Sequence, residues 1–308
     1  MARSPFPSRS VRTGRREALR ALAALAPLLA FPRAGAAVAE LRIVAGPATD
    51  ASSGIAAALA RRFPSAPVAE DVRALAARGG PGIYLAVGPA ALQAAMEADV
   101  PGTLVSAFVS SVAFQRLRAS APTRTRPLTG VYAEASPAAQ MQLIRRLYRH
   151  RVTVGVLLGP ATRLLQPLIE RAAAGSDLAV SCVEVKPGES PVRALAALTS
   201  ASVLLALPDP DLYNALDARA ILESTYRRRQ GVIGFSKAMV GAGTLGAAYA
   251  TVDDIVAHLG DMVDALLAGQ SVEAQYPLYW RVAINETVAR SLDVIVDASA
   301  RGLGNFPA

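Results

Sequence analysis

The sequence is poor in the residues that build disulfides, metal centres and aromatic platforms. Its 308 residues include one cysteine, Cys182, two histidines and one tryptophan, and aromatic side chains make up 5% of the chain. One thiol excludes an intramolecular disulfide, and zinc-site spacing is absent. Cys182 lies in the apolar run LAVSCVEV, where we expect a core residue. His150 and His258 are far apart in sequence, so we expect no metal site.

The chain also lacks a basic body, although its formal net charge is +8. Residues 1–39 hold seven arginines and one acid, whereas residues 40–308 are close to neutral, with a net charge of +2. Nucleic-acid binding needs a basic face on the folded domain. The charge distribution therefore argues against a nucleic-acid partner.

Residues 1–39 have the organisation of an export signal. A basic segment ends in Arg15-Arg16, an apolar segment follows at about 21–31, and small residues at 34–39 fit an A-x-A cleavage site. The apolar segment is too short to span a bilayer as a stable helix. The string RREALR resembles a twin-arginine signal, and an ordinary Sec signal is the alternative. No cysteine lies near the cleavage sites, so we expect no lipid anchor and a soluble periplasmic protein.

From residue 40 onward, short apolar runs alternate with amphipathic segments. The runs are LRIVAG, GIYLAVG, GTLVSAFV and LTGVYAE, and then VTVGVLLG, LAVSCVEV, ASVLLAL and GVIGFS. Strands that are apolar on both faces and separated by helices indicate parallel sheets covered on both sides. Because the pattern restarts after about residue 130, it predicts an α/β protein with two doubly wound lobes.

Residues directly after the apolar runs are candidate ligand contacts, because open α/β sheets bind ligands beyond the carboxyl ends of their strands. The candidates are Asp50, Gly88, Ser110, Thr162, Asp209, Tyr213, Asn214 and Ser236. Together they supply hydroxyls, carboxylates, an aromatic ring and helix N-termini. This make-up is typical of a site for a small polar ligand.

Each candidate also has a purely structural interpretation. Asp209 precedes Pro210, which fits a helix N-cap followed by proline at the first helical position. Tyr213 would then pack between lobes, although Tyr213 and Asn214 would still face the mouth of a cleft. Further upstream, Pro167 is expected to bend or interrupt the helix that follows VTVGVLLG.

Catalytic motifs are weak, so we expect no enzymatic activity. GFSKA, residues 234–238, is not a nucleophile elbow because Ala238 replaces the second glycine. A phosphate-binding G-x-x-x-x-G-K-[ST] loop is absent. The glycines of GAGTLGAAY do not open the strand–turn–helix unit that dinucleotide binding requires.

Several pieces of the second half carry a family resemblance. They are TGVYAEASPAAQMQLIRRLY, VGVLLGPATR, LLALPDPDLYN, ILESTYRRR, GVIGFSKAMVGAGTLGAAYAT, LLAG and VAINETVARSL. In order and spacing, this part resembles the ABC-transporter substrate-binding family of type I periplasmic-binding-protein fold, and YLAVGPAALQAA and GTLVSAFVS extend the likeness loosely to the first half. The resemblance implies two Rossmann-like lobes joined by three crossovers, a ligand in the cleft and no cofactor.

The sequence departs from the family pattern in several places, and GPATDASSG is shorter and less polar than many first-lobe loops of the family. Gln230-Gly231 stands where relatives more often carry Val-Pro, and Val109-Ser110 stands where relatives often place Asp-Pro. These differences leave the identity of the ligand open.

On this basis we predict an export signal at 1–39, a first lobe of 40–130 plus about 244–270, and a second lobe of 131–243 plus about 271–308. We expect a monomeric, exported solute-binding receptor. It would trap a small organic ligand, amino-acid-like or similar, and present it to an ABC-transporter permease. The alternative is a periplasmic sensory or interaction module of the same fold, which would signal to a kinase or an outer-membrane receptor.

Overall fold

A computed structural model of the chain describes residues 40–46, 50–120 and 126–307. The predicted export signal, with its twin-arginine pair and cleavage sites, lies outside the described residues. Among the residues described, no helix combines the length and the apolar character that crossing a membrane requires.

The first sheet contains five parallel strands. They are β1 (Glu40–Ala45), β2 (Val68–Ala69), β3 (Gly82–Val87), β4 (Gly102–Val109) and β5 (Leu128–Tyr132). The intervening helices are α1 (Asp50–Arg62), α2 (Val72–Arg78), α3 (Gly88–Glu97) and α4 (Ser111–Ser120). The strand order is β2-β1-β3-β4-β5. In this doubly wound order, the chain adds strands to one side of β1 and then to the other, so the switch point lies between β1 and β3. Such sheets bind ligands at their switch point.

The second sheet contains seven strands. They are β6 (Val152–Leu158), β7 (Leu178–Glu184), β8 (Val203–Leu205), β9 (Gly231–Gly234), β10 (Gly246–Tyr249), β11 (Trp280–Ile284) and β12 (Gly304–Asn305). Their order is β12-β11-β10-β9-β8-β6-β7. The stretch β7-β6-β8-β9-β10 repeats the order of the first sheet, and β11 and β12 add an antiparallel edge. The prediction of two doubly wound α/β lobes is therefore confirmed.

Helices cover both faces of each sheet, and eight more follow β5 along the described part of the chain. They are α5 (Pro137–Leu147), α6 (Gln166–Ala173), α7 (Pro191–Ala194), α8 (Ala215–Arg227), α9 (Lys237–Ala242), α10 (Val252–Leu267), α11 (Glu286–Ser291) and α12 (Ala298–Arg301). We call the five-stranded sheet and the helices packed on it the first lobe, and the seven-stranded sheet and its helices the second lobe.

Successive residues of each central strand pack into different apolar clusters, one on each face of the sheet. In β3, Leu85 packs with α1 and α10 on one face, and Tyr84 packs with α3 and α4 on the other. In β6, Val156 and Leu157 divide in the same way between the two faces of the second sheet. This alternation follows from the two-residue period of a strand, and burial on both faces explains why the runs are apolar throughout.

Between residues 126 and 307, the chain passes between the lobes three times. The passages run from β5 to α5, from β10 to α10, and from α10 to β11. α10 belongs with the first lobe because Ile255 and Leu259 pack against the core of the first sheet. The three crossovers implied by the family resemblance are thus present.

The segment at about 244–270 needs a correction, because it does not belong wholly to the first lobe. β10 pairs in parallel with β9 and antiparallel with β11, so 246–249 lie in the second sheet. The sequence GAAY is a buried strand whose backbone groups need partners on both sides. The return to the first lobe therefore starts after Tyr249.

Two local predictions also change, and a third holds in one of its alternatives. Pro167 interrupts the predicted helix without bending it: a 3₁₀ turn at Arg163–Leu165 precedes α6, and Pro167 lies in the first turn of α6, where its missing N–H is not needed. The helix expected at Asp209-Pro210 begins at Ala215 instead. Cys182 is half-buried on the edge strand β7, and burial followed by the Glu170 charge raises its thiol pKa to about 11.

A buried carboxylate joins the second and third crossovers. Asp254, in the first turn of α10, is fully buried and receives two hydrogen bonds from Arg281 of β11, at 2.7 and 2.8 Å. Thr251 forms a capping box with the same carboxylate. Arg281 thereby ties the second sheet to the helix that covers the first sheet.

We expect Asp254→Asn to lower the free energy of unfolding by about 3 kcal/mol, because it removes the charge that compensates Arg281 and weakens the capping box. Asp253→Asn is the matched control. Asp253 is exposed, its only described ion pair is with Arg61, and its loss should cost less than about 1 kcal/mol. Urea unfolding measures the free energy of unfolding of both variants. Equal losses would show that the buried pair contributes no more to stability than the exposed pair.

Candidate ligand-binding cleft

Thr162 and Asp209 meet at the point where the second sheet reverses its strand order. Thr162 follows β6 and Asp209 follows β8, and both are almost fully buried. The Thr162 hydroxyl donates to Asp209 Oδ2 at 2.9 Å, and the Asp211 amide donates to Asp209 Oδ1 at 3.1 Å. A Cβ at Gly159 would lie 2.5 Å from Asp209 Oδ2, so this turn requires glycine. Both carboxylate oxygens are thus engaged within the second lobe.

Asn214 is the N-cap of α8, so its side chain has a structural role, and its contact with a ligand stays a prediction. Its side-chain oxygen accepts from the amides of Leu216 and Asp217 at 3.1 and 3.0 Å, and the residue is exposed. The N-cap assigned to Asp209 belongs to Asn214, because Asp209 closes a separate turn upstream of the helix.

Tyr213 packs against the apolar core of the second lobe, with its ring edge-on to Phe235 at a centroid distance of 6.4 Å. Its hydroxyl is buried and has no hydrogen-bond partner among the described residues. Burial, followed by the charge of Asp209, raises the pKa of this phenol. The phenol is therefore neutral at physiological pH and holds an unused donor.

The remaining predicted contacts occupy helix starts. Ser110 and Ser236 accept backbone hydrogen bonds from the first turns of α4 and α9, at 3.2 and 3.3 Å. Gly88 opens α3 with φ +83°, and a Cβ there would meet open space. Asp50 is the first residue of α1, and its side chain is outside the described part of the chain.

A small cavity lies where the first crossover meets the carboxyl ends of β8 and β9. Its volume is about 20 Å³, room for roughly one water molecule. Residues that line it include Glu134, Gln140, Leu207, Pro208, Phe235 and Tyr276. None of the eight predicted contacts is among its described lining residues, although Pro208 and Phe235 are the immediate neighbours of Asp209 and Ser236. The eight remain predictions as ligand contacts.

Glu134 is the buried carboxylate of this cavity, with 7% of its surface exposed. The backbone amide of Ser111 donates to both of its oxygens, at 3.0 and 3.2 Å, and the Ser111 hydroxyl donates to Oε1. Burial raises the pKa of Glu134, and the bonds from Ser111 oppose that rise. Ser111 is the first residue of α4, so the carboxylate also lies at the positive end of a helix dipole.

Tyr276, on the third crossover, covers this carboxylate from the side. Its hydroxyl donates to Ser111 Oγ at 3.3 Å, and its ring packs edge-on against Tyr132 at 5.0 Å. The neighbouring Gln275 pairs with β5 through the Tyr132 amide, at 3.0 Å, so the crossover extends the first sheet. Burial raises the pKa of the Tyr276 phenol.

Gln140 lines the cavity from α5 and is held in place by the backbone of β10. Its amide donates to the carbonyl of Ala248 at 2.7 Å and accepts from the amide of Ala248 at 2.9 Å. Both ends of the side chain are thereby used to join α5 to β10. Gln140 contributes shape to the cavity while its polar groups are already engaged.

Sequence reasoning missed Glu134 and Tyr276 for different reasons. Glu134 follows β5 by two residues, so the rule that selected Asp209 after β8 would also have selected it. Tyr276 lies in an irregular crossover with no periodic pattern, and only the fold brings it to the cavity.

Neither a protein-family model nor a curated protein matches this chain. Solved structures do match. A substrate-binding protein with adhesive properties from Clostridium difficile, in its ligand-free open form, shares 14% identity at a TM-score of 0.62, covering 88% of this chain and 99% of the other. An ABC domain from Streptococcus pneumonia, in complex with L-Trp, shares 17% identity at a TM-score of 0.57, covering 86% and 98%.

A conserved domain protein from Vibrio cholerae also matches, with 17% identity, a TM-score of 0.56 and the same coverage of 86% and 98%. At these identities the likeness concerns the fold. The chain has the type I periplasmic-binding-protein fold, the fold of ABC-transporter substrate-binding proteins. The resemblance read from the second half of the sequence is confirmed at this level.

We expect Thr162→Val to destabilise the protein by about 2 kcal/mol. The isosteric change removes a buried donor to Asp209 and the acceptor for the Gly159 amide, so two buried groups lose a partner. Thr199→Val, at an exposed position, should stay within about 0.5 kcal/mol of wild type. Chemical denaturation compares the two, and a Thr162→Val effect no larger than the control would contradict the buried network.

The raised pKa of Glu134 makes stability depend on pH. Between the usual value of 4.5 and the raised one, the folded chain keeps a proton that the unfolded chain releases. The stability contributed by this group is complete below pH 4.5 and is lost as pH rises through the folded pKa.

The variant Glu134→Gln cannot ionise, so we expect wild type to lose Tm relative to this variant as pH rises from about 4 to 8. Thermal unfolding of the ligand-free protein measures the difference. Glu97→Gln, at an exposed site on α3, should show no such trend. A Glu134→Gln difference that stays constant with pH would contradict the burial of this carboxylate.

Proposed function

We propose that the protein is an exported solute-binding receptor that closes its two lobes on a small organic ligand and presents it to an ABC-transporter permease. The observation that carries this proposal is the cavity at the lobe junction, where a buried carboxylate, Glu134, shares one lining with two aromatic rings, Phe235 and Tyr276. A few polar groups within an apolar and aromatic wall are what small-molecule sites contain.

The connections between the lobes supply a hinge. The first lobe, residues 40–132 with α10, is joined to the second lobe by three short crossovers, and domain closure around a ligand uses a few such connecting residues. The cavity holds about 20 Å³, whereas sites for organic ligands are typically 300 Å³ or larger. A ligand would therefore enter an open form, in which Gly88, Ser110 and Ser236 would be available to it.

Two of the similar structures support this proposal, one through its bound ligand and the other through its open form. The Streptococcus pneumonia structure is a complex with L-Trp, and the Clostridium difficile protein is described as a substrate-binding protein in an open, ligand-free form. A ligand with an organic body of that kind would pack on Phe235 and Tyr276. The arginine-paired leader at 1–39 supports a periplasmic location, where such receptors meet their permeases.

The test is a thermal-shift screen of amino acids, amines, sugars, nucleobases and small acids, with calorimetry on each hit. X-ray scattering with and without the best hit should show a smaller radius of gyration in the complex, because closure brings the lobes together. If no compound raises the Tm, or the best ligand leaves the radius unchanged, the receptor proposal fails.

We expect Phe235→Ala to weaken the best hit at least ~10-fold, because it removes an aromatic wall of the cavity. Tyr226→Ala is the control: this tyrosine is 64% exposed on α8 and is not among the cavity-lining residues. Calorimetry gives both dissociation constants. Equal affinities in the two variants would show that the ligand does not bind in this cavity.

A further inference from the structure

The helix N-terminus that borders the cavity in the first lobe is already occupied by an anion. In α/β folds, a helix that starts at the carboxyl end of a strand is a natural anion site. Here α4 starts at Ser111, and both the amide and the hydroxyl of Ser111 donate to Glu134. The chain's own carboxylate thus takes the place that a ligand carboxylate would take.

The other helix starts that follow strands offer less to an anion in this cavity. No described residue of α3 lines the cavity, although the first-turn amides of α3 beyond Pro89 have no side-chain cap. α5 carries Pro137 in its first turn, and proline has no N–H to donate. Ser136 further satisfies the start of α5 by accepting from the Ala139 amide at 3.1 Å. α9 is short, and its first turn is capped by the Ser236 hydroxyl.

No basic side chain lines the cavity within the part of the chain that the structure describes. Glu134 is its one carboxylate, and lysine, arginine and histidine are absent from the lining. The basic residues that follow nearby strands face solvent: Arg163 is 61% exposed and lies 3.9 Å from Glu184, and Lys237 is exposed. A ligand carboxylate buried here would therefore approach Glu134 without a compensating cation.

We infer that the ligand is an organic amine without a carboxylate, whose cationic head binds Glu134 and whose apolar or aromatic body packs against Phe235 and Tyr276. This inference rests on the proposed function and narrows its ligand. An ammonium beside a buried carboxylate forms a charge-assisted hydrogen bond and removes the cost of an unpaired buried charge. Aromatic faces in the same cavity add cation–π attraction.

The test uses compounds that share a side chain and differ only in charge. One set is tryptamine, L-tryptophan and indole-3-propionate, and a second is tyramine, L-tyrosine and 3-(4-hydroxyphenyl)propionate. Calorimetry with the full wild-type protein at about pH 7.5 measures all six. We expect at least one amine to bind at least ~10-fold more tightly than its amino acid, and the matching acid to show no binding.

Two variants locate the effect. Glu134→Gln keeps the shape and an acceptor oxygen, and should weaken amine binding ~100-fold by removing the charge. Glu97→Gln, an exposed carboxylate on α3, should leave the affinity unchanged. Lys237→Gln, at an exposed position outside the cavity lining, should also leave amine binding unchanged. The comparison of compounds on wild type does not depend on how well Glu134→Gln folds.

The outcomes separate this inference from the proposal beneath it. If in both sets the amino acid or the acid binds as tightly as the amine, the amine assignment is wrong and the receptor function stands. The same conclusion follows if the hits from the broad screen are sugars or anions, or if Glu134→Gln binds amines as well as wild type. If nothing in the screen binds, the receptor function fails and the amine assignment fails with it.

Discussion

The burial of the Glu134 carboxylate between the lobes is the constraint on which the arrangement of the cleft depends. A carboxylate in a nearly water-free place needs donors, and the first turn of α4 supplies them through Ser111. Tyr276 of the third crossover then binds the same serine, which brings the first and third crossovers together. The lobes thus meet at a polar centre surrounded by apolar walls. A ligand that enters must supply a partner for the Glu134 carboxylate.

A second buried carboxylate, Asp254, also joins the two lobes. It lies in the first turn of α10, completes the capping box with Thr251 and holds Arg281 of the second sheet. The two acids differ in their partners. Asp254 has a guanidinium, so its charge is compensated within the protein, whereas Glu134 has only neutral donors. Asp254 therefore serves stability, whereas Glu134 leaves a charge that a cationic ligand would compensate.

The fold was readable from sequence because both lobes repeat one local pattern. Apolar runs such as GIYLAVG are strands buried on both faces, and helices separate them, so alternation alone predicts parallel, doubly wound sheets. The boundaries between the two lobes were harder to predict from the sequence. The strand GAAY was assigned to the wrong lobe because a short buried strand carries no mark of its neighbour in the sheet, and the pairing of β10 with β9 and β11 settles that.

The amino-acid sequence by itself determined which residues follow the strands, because that depends on local order along the chain. It thereby placed Thr162 and Asp209 together at the second switch point. The tertiary structure decided which of these polar groups remain free. Asn214, Ser110 and Ser236 are engaged in helix caps, because the unpaired amides of a helix start take the nearest oxygen. Only the packing of three crossovers brings Glu134 and Tyr276, 142 residues apart in the chain, to one cavity.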